Sequence, residues 1–254
     1  MNAKFANLLG LRRINLFKSA LAEALHAPQS GSLGTLEVVV AVLIGIIPLL
    51  PGAFHFSTTQ IDFPTLLVGT ATCLAIIYRK RLGITLPRTS NWKSALSLTH
   101  TGFALGCIPA VFLMVIAPDA FTQVAQLKPH AGGVVAEPPQ YMFLRILLSI
   151  SLISLWAGIT EEFVYRGLVT SAVRRWKLLK SARLRNILAV TLSSLLFGLS
   201  HYGTWGPAFS IALVGIGMGL GFAYLAIDER LLPVVVYHVA FDFLSLSFAA
   251  FFSK

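Results

Sequence analysis

Long apolar runs separated by short basic segments make up most of this 254-residue chain. Seven of these runs approach or exceed the roughly 20 mainly apolar residues that a membrane-crossing helix needs. Their predicted limits are Leu36–Phe54, Phe63–Tyr78, Ala95–Ala117, Tyr141–Leu168, Ile187–Tyr202, Pro207–Ile227 and Leu231–Phe252. The pattern therefore predicts an all-α protein, a polytopic transmembrane helical bundle with about seven spans.

The N-terminal segment follows a different pattern, in which apolar and basic side chains are mixed. No apolar stretch there is long enough for a secretory signal peptide. We predict for residues 1–30 a helix that lies on the cytoplasmic membrane surface. Three accessory transmembrane helices and a long external loop, Pro118–Gln140, then occupy residues 31–140, and a helical core occupies residues 141–254.

The charge distribution agrees with a membrane protein. Charged residues make up 12% of the chain, about half the share that is usual in soluble domains. The net charge of +10 would suggest nucleic-acid binding in a soluble protein. Here the basic residues lie mainly in alternate connections between the apolar runs, so we predict contact with membrane lipids and no nucleic-acid partner. The positive-inside rule then predicts a multi-pass protein of the inner (plasma) membrane with a cytoplasmic N-terminus.

Six ionisable side chains nevertheless lie inside the predicted helices of the core. A charged residue at the centre of a membrane helix costs about 2.5–3.5 kcal/mol on insertion scales, so a chain that keeps several is expected to use them. The six are Glu161, Glu162, Arg166, His201, His238 and Asp242. Any one of them could be a buried polar group that joins two helices, but six on three helices favour a functional cluster.

The spacing of the acidic residues assigns them different tasks. Glu162 and Arg166 lie four residues apart on one helix face, with the acid before the base, which is the favoured order for an ion pair. Glu161 projects about 100° away around the same helix. We therefore predict that Glu162 and Arg166 form a structural pair, whereas Glu161 is an uncompensated carboxylate suited to general-base chemistry.

Two histidines can join Glu161 from other helices. Phe197 and His201 share one helix face, so the phenylalanine can support the histidine. His238 and Asp242 share a face of the last helix, where the aspartate can orient the imidazole. Counted from the preceding basic residues, however, the two histidines differ by about 12 Å in depth. Helix tilt has to absorb this difference if the cluster forms.

Four alternate glycines mark the sixth apolar run. Gly215 with Gly219, and Gly217 with Gly221, form two overlapping patterns of small residues four apart. Small residues at this spacing let helix backbones approach closely. We expect tight helix packing here, and a smooth surface that faces substrate is the alternative.

The chain resembles a known family in three ordered motifs. They are EExxxR at 161–166, FxxxH at 197–201 and HxxxD at 238–242, each on its own apolar helix. Together they resemble the motifs of the CPBP family, the CAAX proteases and bacteriocin-processing enzymes, also called the Abi family. The resemblance covers residues 141–252. It implies a hydrolase, an endopeptidase that cuts a peptide or membrane-protein substrate near the cytoplasmic membrane face.

The resemblance also implies a role for each residue of the cluster. Glu161 would activate water with the help of His201, and His238 and the residue at position 242 would stabilise the oxyanion. Eukaryotic relatives remove the C-terminal tripeptide of prenylated proteins, and they typically have asparagine where this chain has Asp242. An ionised aspartate accepts hydrogen bonds but donates none, so we expect Asp242 to orient His238.

The family has also been described as zinc-dependent. Glu161, His201 and His238 would then be the ligands of a metalloprotease site with an open water position. Glu161 could not easily act both as a ligand and as the base, and Glu162 already has Arg166 as its partner. We therefore favour a glutamate mechanism without a cofactor, and a zinc site is the alternative.

Two other functions fit the same ionisable groups. A proton-coupled transporter would use them to move protons. Broken helices at corresponding positions in two halves of the chain would support this function, but the sequence does not show them. A bacteriocin-immunity or scaffold protein could be an inactive relative, but Glu161 and His238 are both present. The sequence thus favours the endopeptidase.

Overall fold

Helices form nearly all the regular structure in residues 11–27, 31–50, 63–84, 91–117 and 139–252, which are the residues that the computed structural model describes. The helices are α1 Leu11–His26, α2 Thr35–Ile46, α3 Phe63–Arg81, α4 Trp92–Gly106, α5 Ile108–Ile116, α6 Pro139–Glu162, α7 Ser171–Arg174, α8 Ala182–Ser200, α9 Tyr202–Ala226 and α10 Leu231–Phe252. A 3₁₀ turn, Ile47–Leu49, follows α2, and a π-helical segment, Phe163–Thr170, joins α6 to α7. The predicted all-α fold is confirmed.

Five helical stretches among the described residues are long and apolar enough to cross a membrane. They are Trp92–Ile116, Phe143–Arg174, Ala182–Ser200, Trp205–Ala226 and Leu231–Phe248. The stretch Thr35–Leu49 is apolar but shorter, and α3 has three basic residues in its last turn. The total of seven spans therefore stays a prediction. Most of the predicted external loop, Pro118–Gln140, lies outside the described residues.

Proline accompanies two breaks in the helices. The third predicted run is divided at Cys107 between α4 and α5, because Pro109 has no backbone N–H to donate to the preceding turn. The second break lies inside α9 at Gly206, whose φ of 75° is left-handed, and Pro207, the first residue of the sixth predicted run, follows it. Glycine adopts this conformation without the steric cost of a side chain. The long straight part of α9 thus begins at Pro207, as the sequence predicts.

Close helix packing in the core depends on the glycines of α9. A Cβ atom added at Gly106 would lie 2.6 Å from the carbonyl oxygen of Gly215, and one added at Gly217 would lie 3.1 Å from the Phe197 ring. Gly215 and Gly219 therefore pack α9 on α4, and Gly217 and Gly221 pack it on α8. Both contacts are of the kind that small residues four apart allow. The expected tight packing is confirmed.

Gly106→Ala is expected to destabilise the protein by about 1–3 kcal/mol, because the added methyl group meets backbone atoms of α9. The measurement is the midpoint of thermal unfolding in detergent, followed by the helical circular dichroism signal. Val111→Leu adds one carbon atom at an exposed position of α5 and is the control. Equal midpoints for the two variants would contradict the tight α4–α9 contact.

The N-terminal helix α1 packs against the bundle. Phe17 is 4% exposed and lies in a small apolar cluster with Ala223 and Ala226 of α9. Its ring also approaches Gly102 of α4. The basic residues of α1, such as Arg12, remain exposed. The location of this helix at the cytoplasmic membrane surface stays a prediction.

Candidate functional site

The two glutamates of the first motif lie at the end of α6, where the helix widens. The helix is continuous from Pro139 to Arg174, through α6, the π-helical segment and α7, and we call it the catalytic helix. Within the wide segment, the hydroxyl groups of Thr170 and Ser193 both donate to the carbonyl oxygen of Tyr165, at 3.0 and 2.8 Å. π-Helical turns are rare in proteins, and those that occur often lie at functional sites.

Glu162 and Arg166 form the ion pair that their spacing predicts. Arg166 Nη1 donates to Glu162 Oε1 at 2.8 Å, and both side chains are completely buried. The second terminal nitrogen of Arg166 donates to the carbonyl oxygen of Gly217 at 3.1 Å. The guanidinium carbon lies 4.8 Å from the centre of the Phe197 ring. The pair thus connects the catalytic helix to α8 and α9.

Glu162 also has a second partner that sequence reasoning missed. His238 Nδ1 lies 2.8 Å from the same oxygen, Glu162 Oε1. Asp242, which was expected to orient the imidazole, lies instead on the opposite side of the ring, with Oδ2 3.4 Å from Nε2. The orienting contact on Nδ1 therefore comes from Glu162. No sequence signal within a helix could indicate it, because the two residues are 76 positions apart.

Glu161 lies between the two histidines. His201 Nε2 is 3.6 Å from one carboxylate oxygen, and His238 Nε2 is 3.7 Å from the other. The side chains of Glu161 and His201 are 17% and 20% exposed, so the protein does not fully enclose them. The difference in depth that the sequence suggested does not keep the histidines apart. The structure brings all three side chains together.

Phe197 is the apolar centre of the cluster. Its ring makes edge-to-face contacts with His201 and His238, with centroids 5.1 and 5.9 Å apart. Its backbone carbonyl oxygen lies 2.9 Å from His201 Nδ1. A carbonyl oxygen only accepts hydrogen bonds, so Nδ1 carries a hydrogen atom and Nε2 is the ring nitrogen that faces Glu161. Phe197 thereby fixes both the position and the tautomer of His201.

A zinc ion held by the cluster would lie about 2.0–2.3 Å from each ligand atom. In the part of the chain that the structure describes, no group of three histidine, cysteine, aspartate or glutamate side chains is placed to hold a metal ion. Zinc at Glu161, His201 and His238 stays the alternative to a mechanism that uses side chains and water alone.

The cluster lies away from the basic end of the catalytic helix. Glu161 precedes Arg174 by 13 residues, eight of which belong to the π-helical segment. Both the cut near the cytoplasmic face and the cytoplasmic location of the basic segment stay predictions.

An apolar groove lies between the two helices that carry most of the cluster. Its volume is about 780 Å³, and α6 and α10 supply its walls, with Leu155, Ile159, Val235 and Val239 among the lining residues. Gly158 lets α10 approach α6 next to it, since a Cβ atom there would lie 3.0 Å from the Val239 backbone nitrogen. The groove gives the catalytic helix an apolar surface that an extended apolar chain can contact.

Part of the chain matches a family of known proteins. Residues 143–244 match the model of a family described as Type II CAAX prenyl endopeptidase Rce1-like. No curated protein and no solved structure matches the chain. Together with the five long apolar helices, the family indicates a multi-pass membrane protein, and it implies a CAAX-protease-like intramembrane endopeptidase. The resemblance seen in the three motifs is thus confirmed for residues 143–244, about two fifths of the chain.

Proposed function

We propose that this protein is an intramembrane endopeptidase in which Glu161 activates the water that attacks the peptide bond. One observation carries the proposal: two imidazole nitrogens lie 3.6 and 3.7 Å from the two oxygens of one partly exposed carboxylate. These distances are longer than a direct hydrogen bond, and a bound water can bridge polar groups at such separations.

Glu161 is the proton acceptor of the reaction. As the water oxygen bonds to the carbonyl carbon of the scissile peptide, one water proton passes to Glu161 and the carbonyl oxygen becomes an oxyanion. When the intermediate collapses, the carbon–nitrogen bond breaks and the departing nitrogen takes up a proton from Glu161. The lone pair on His201 Nε2 assists by accepting a hydrogen bond from the water or from protonated Glu161.

His238 is the donor to the oxyanion. Glu162 holds its Nδ1, so Nε2 points toward Glu161 and the reacting atoms. In the imidazolium form both ring nitrogens donate hydrogen bonds, and Nε2 then stabilises the negative charge that develops on the carbonyl oxygen. Asp242 Oδ2 lies 3.4 Å from the same nitrogen and accepts its hydrogen before the substrate binds.

The proposal is tested by comparing membrane-protein termini in cells that produce the wild type and in cells that produce Glu161→Gln, using terminal-peptide mass spectrometry. New termini that occur only with the wild type support the proposal and identify the substrate and the cut. Equal sets of termini under all growth conditions would overturn it, and proton-linked uptake would then be measured for the transporter alternative.

A metal chelator separates the two forms of the protease. In the mechanism proposed here, 1,10-phenanthroline leaves the turnover of the purified protein unchanged, because no step uses a metal. Loss of turnover on chelation, with recovery on addition of Zn²⁺, would replace this mechanism with the zinc form, in which Glu161, His201 and His238 are ligands.

Substitution of Asp242 distinguishes hydrogen-bond donation from charge. Asp242→Asn is expected to retain turnover to within about threefold, because an amide can donate to the oxyanion, whereas Asp242→Ala is expected to lose about tenfold. The measurement is the turnover number with the substrate found by mass spectrometry. An equally large loss in both variants would show that the reaction needs the negative charge of Asp242.

A further inference from the structure

A buried ionic network lies at the end of the catalytic helix that is remote from Glu161. Arg174 Nη1 lies 2.6 Å from Glu229 Oε1, and Arg175 Nη2 lies 3.1 Å from Glu229 Oε2. The hydroxyl group of Ser171 donates to the second oxygen at 3.3 Å. Glu229 is only 5% exposed. The Glu229 carboxylate, which lies outside the candidate site, is thus bound by three side chains. Two belong to the catalytic helix, and the third belongs to Arg175, directly after its end.

The backbone that presents Glu229 is strained. Asp228 and Glu229 both have positive φ angles, 57° and 59°, although neither is glycine. Non-glycine residues adopt this left-handed conformation at a cost, and such strain persists only where surrounding contacts hold it. The side chain of Asp228 is 80% exposed, with one distant contact to Arg230. Backbone hydrogen bonds of Asp228 and Arg230 close the turn, and the buried side-chain contacts that hold it are those of Glu229.

Arg174 is in turn fixed by elements on its other side. Its Nε donates to the side-chain oxygen of Asn186 at 2.8 Å. The amide nitrogen of Asn186 donates to the carbonyl oxygens of Ala24 and Leu25 at the end of α1, at 3.0 and 2.9 Å. The end of the catalytic helix is thus held by α1 and α8, and Glu229 attaches the start of α10 to the same point.

This attachment fixes the relative position of the two helices that carry the site. Glu161 lies 13 residues before Arg174 on the catalytic helix, and His238 lies nine residues after Glu229, on α10. Because helices are stiff over such lengths, a shift at the ionic network moves His238 relative to Glu161. We propose that Glu229 is a positioning residue, which holds α10 in the register that places His238 beside Glu161 and Glu162. The catalytic part of this inference rests on the proposed function.

The test compares the full-length protein, reconstituted in liposomes, with Glu229→Gln in two measurements. The first is the ¹⁵N spectrum of histidine-labelled protein, in which the His238 signal is assigned by its loss in His238→Gln. The second is kcat and KM with the substrate found by mass spectrometry. In Glu229→Gln the His238 Nδ1 signal is expected to shift, and kcat per folded protein is expected to fall about tenfold with KM unchanged, because small displacements of catalytic groups reduce turnover.

Two control variants separate register from stability. Gly106→Ala destabilises the α4–α9 contact, and at a matched loss of thermal stability it leaves both the His238 signal and kcat unchanged. Asp228→Gly relieves the backbone strain but keeps the ionic network, so it raises the thermal midpoint and preserves kcat. If Glu229→Gln behaves like Gly106→Ala in both measurements, Glu229 only stabilises the fold and the inference is wrong.

The two measurements also distinguish this inference from the proposed function. A shifted His238 signal in Glu229→Gln, together with no proteolysis by the wild type, supports the register role and overturns the proposed function. Proteolysis by the wild type, together with an unshifted His238 signal in Glu229→Gln, supports the proposed function and overturns the register role. If Glu229→Gln does not fold, Arg174→Lys keeps the charge and removes the contact with Asn186, and it is tested in the same way.

Discussion

Replacement of Glu161 by glutamine is expected to lower the turnover number at least about a hundredfold, because general-base catalysis contributes typically 10²–10⁴-fold. The amide has nearly the same shape as the carboxylate but cannot accept a proton from water. The fold should not change, since the carboxylate is partly exposed and its histidine contacts are 3.6 and 3.7 Å long. The measurement is kcat of the reconstituted protein, with the thermal midpoint measured on the same sample.

The control for this experiment is a glutamate outside the cluster. Glu23→Gln alters an exposed residue of α1 and should leave both kcat and the thermal midpoint unchanged. His201→Gln is expected to lower kcat by less than Glu161→Gln, because His201 assists a base that is still present. If Glu161→Gln retains wild-type turnover, another group is the base, and Asp242 is then the next carboxylate to replace.

The sequence predicted the residues that meet in the cluster because their spacing is regular. Residues four apart on a helix share a face, and this rule placed His201 beside Phe197 and His238 beside Asp242. The same periodicity separated Glu161 from Glu162, and the structure indeed gives the two carboxylates different partners. The apolar pattern likewise gave the limits of α10 to the residue and those of α3 to within three residues, whereas α8 begins five residues before its predicted start.

The contacts between helices could not be predicted in the same way. Hydrophobic periodicity reports which face of a helix is buried, but not which residue of another helix lies opposite. The contact of Glu162 with His238 was therefore not predicted, and the task of orienting the His238 imidazole was assigned to Asp242. The widening of the catalytic helix after Glu162 was not predicted either, because a π-helical segment leaves no separate hydrophobic pattern. The contact of Glu229 with Arg174 likewise joins residues 55 positions apart, and no periodicity within one helix indicates it.

Removal of either partner of the Glu162–Arg166 pair is expected to lower the free energy of unfolding by about 3–5 kcal/mol, since each leaves a buried charge without its partner. Arg166→Ala also removes the donor to the Gly217 carbonyl oxygen and the cation above Phe197. The measurement is denaturant unfolding in detergent. Arg183→Ala, which alters an exposed arginine of α8, is the control and should change the free energy by less than about 0.5 kcal/mol.

A double substitution separates the two tasks of Glu162. Replacing a buried ion pair by apolar side chains of similar volume is often neutral for stability, so Glu162→Leu combined with Arg166→Met should recover most of the loss seen in each single variant. Turnover should not recover, because the leucine side chain has no acceptor for His238 Nδ1, which in the wild type lies 2.8 Å from Glu162 Oε1. A stable and active double variant would show that Glu162 serves only the fold. A stable and inactive one would place Glu162, with its partner His238, in the mechanism.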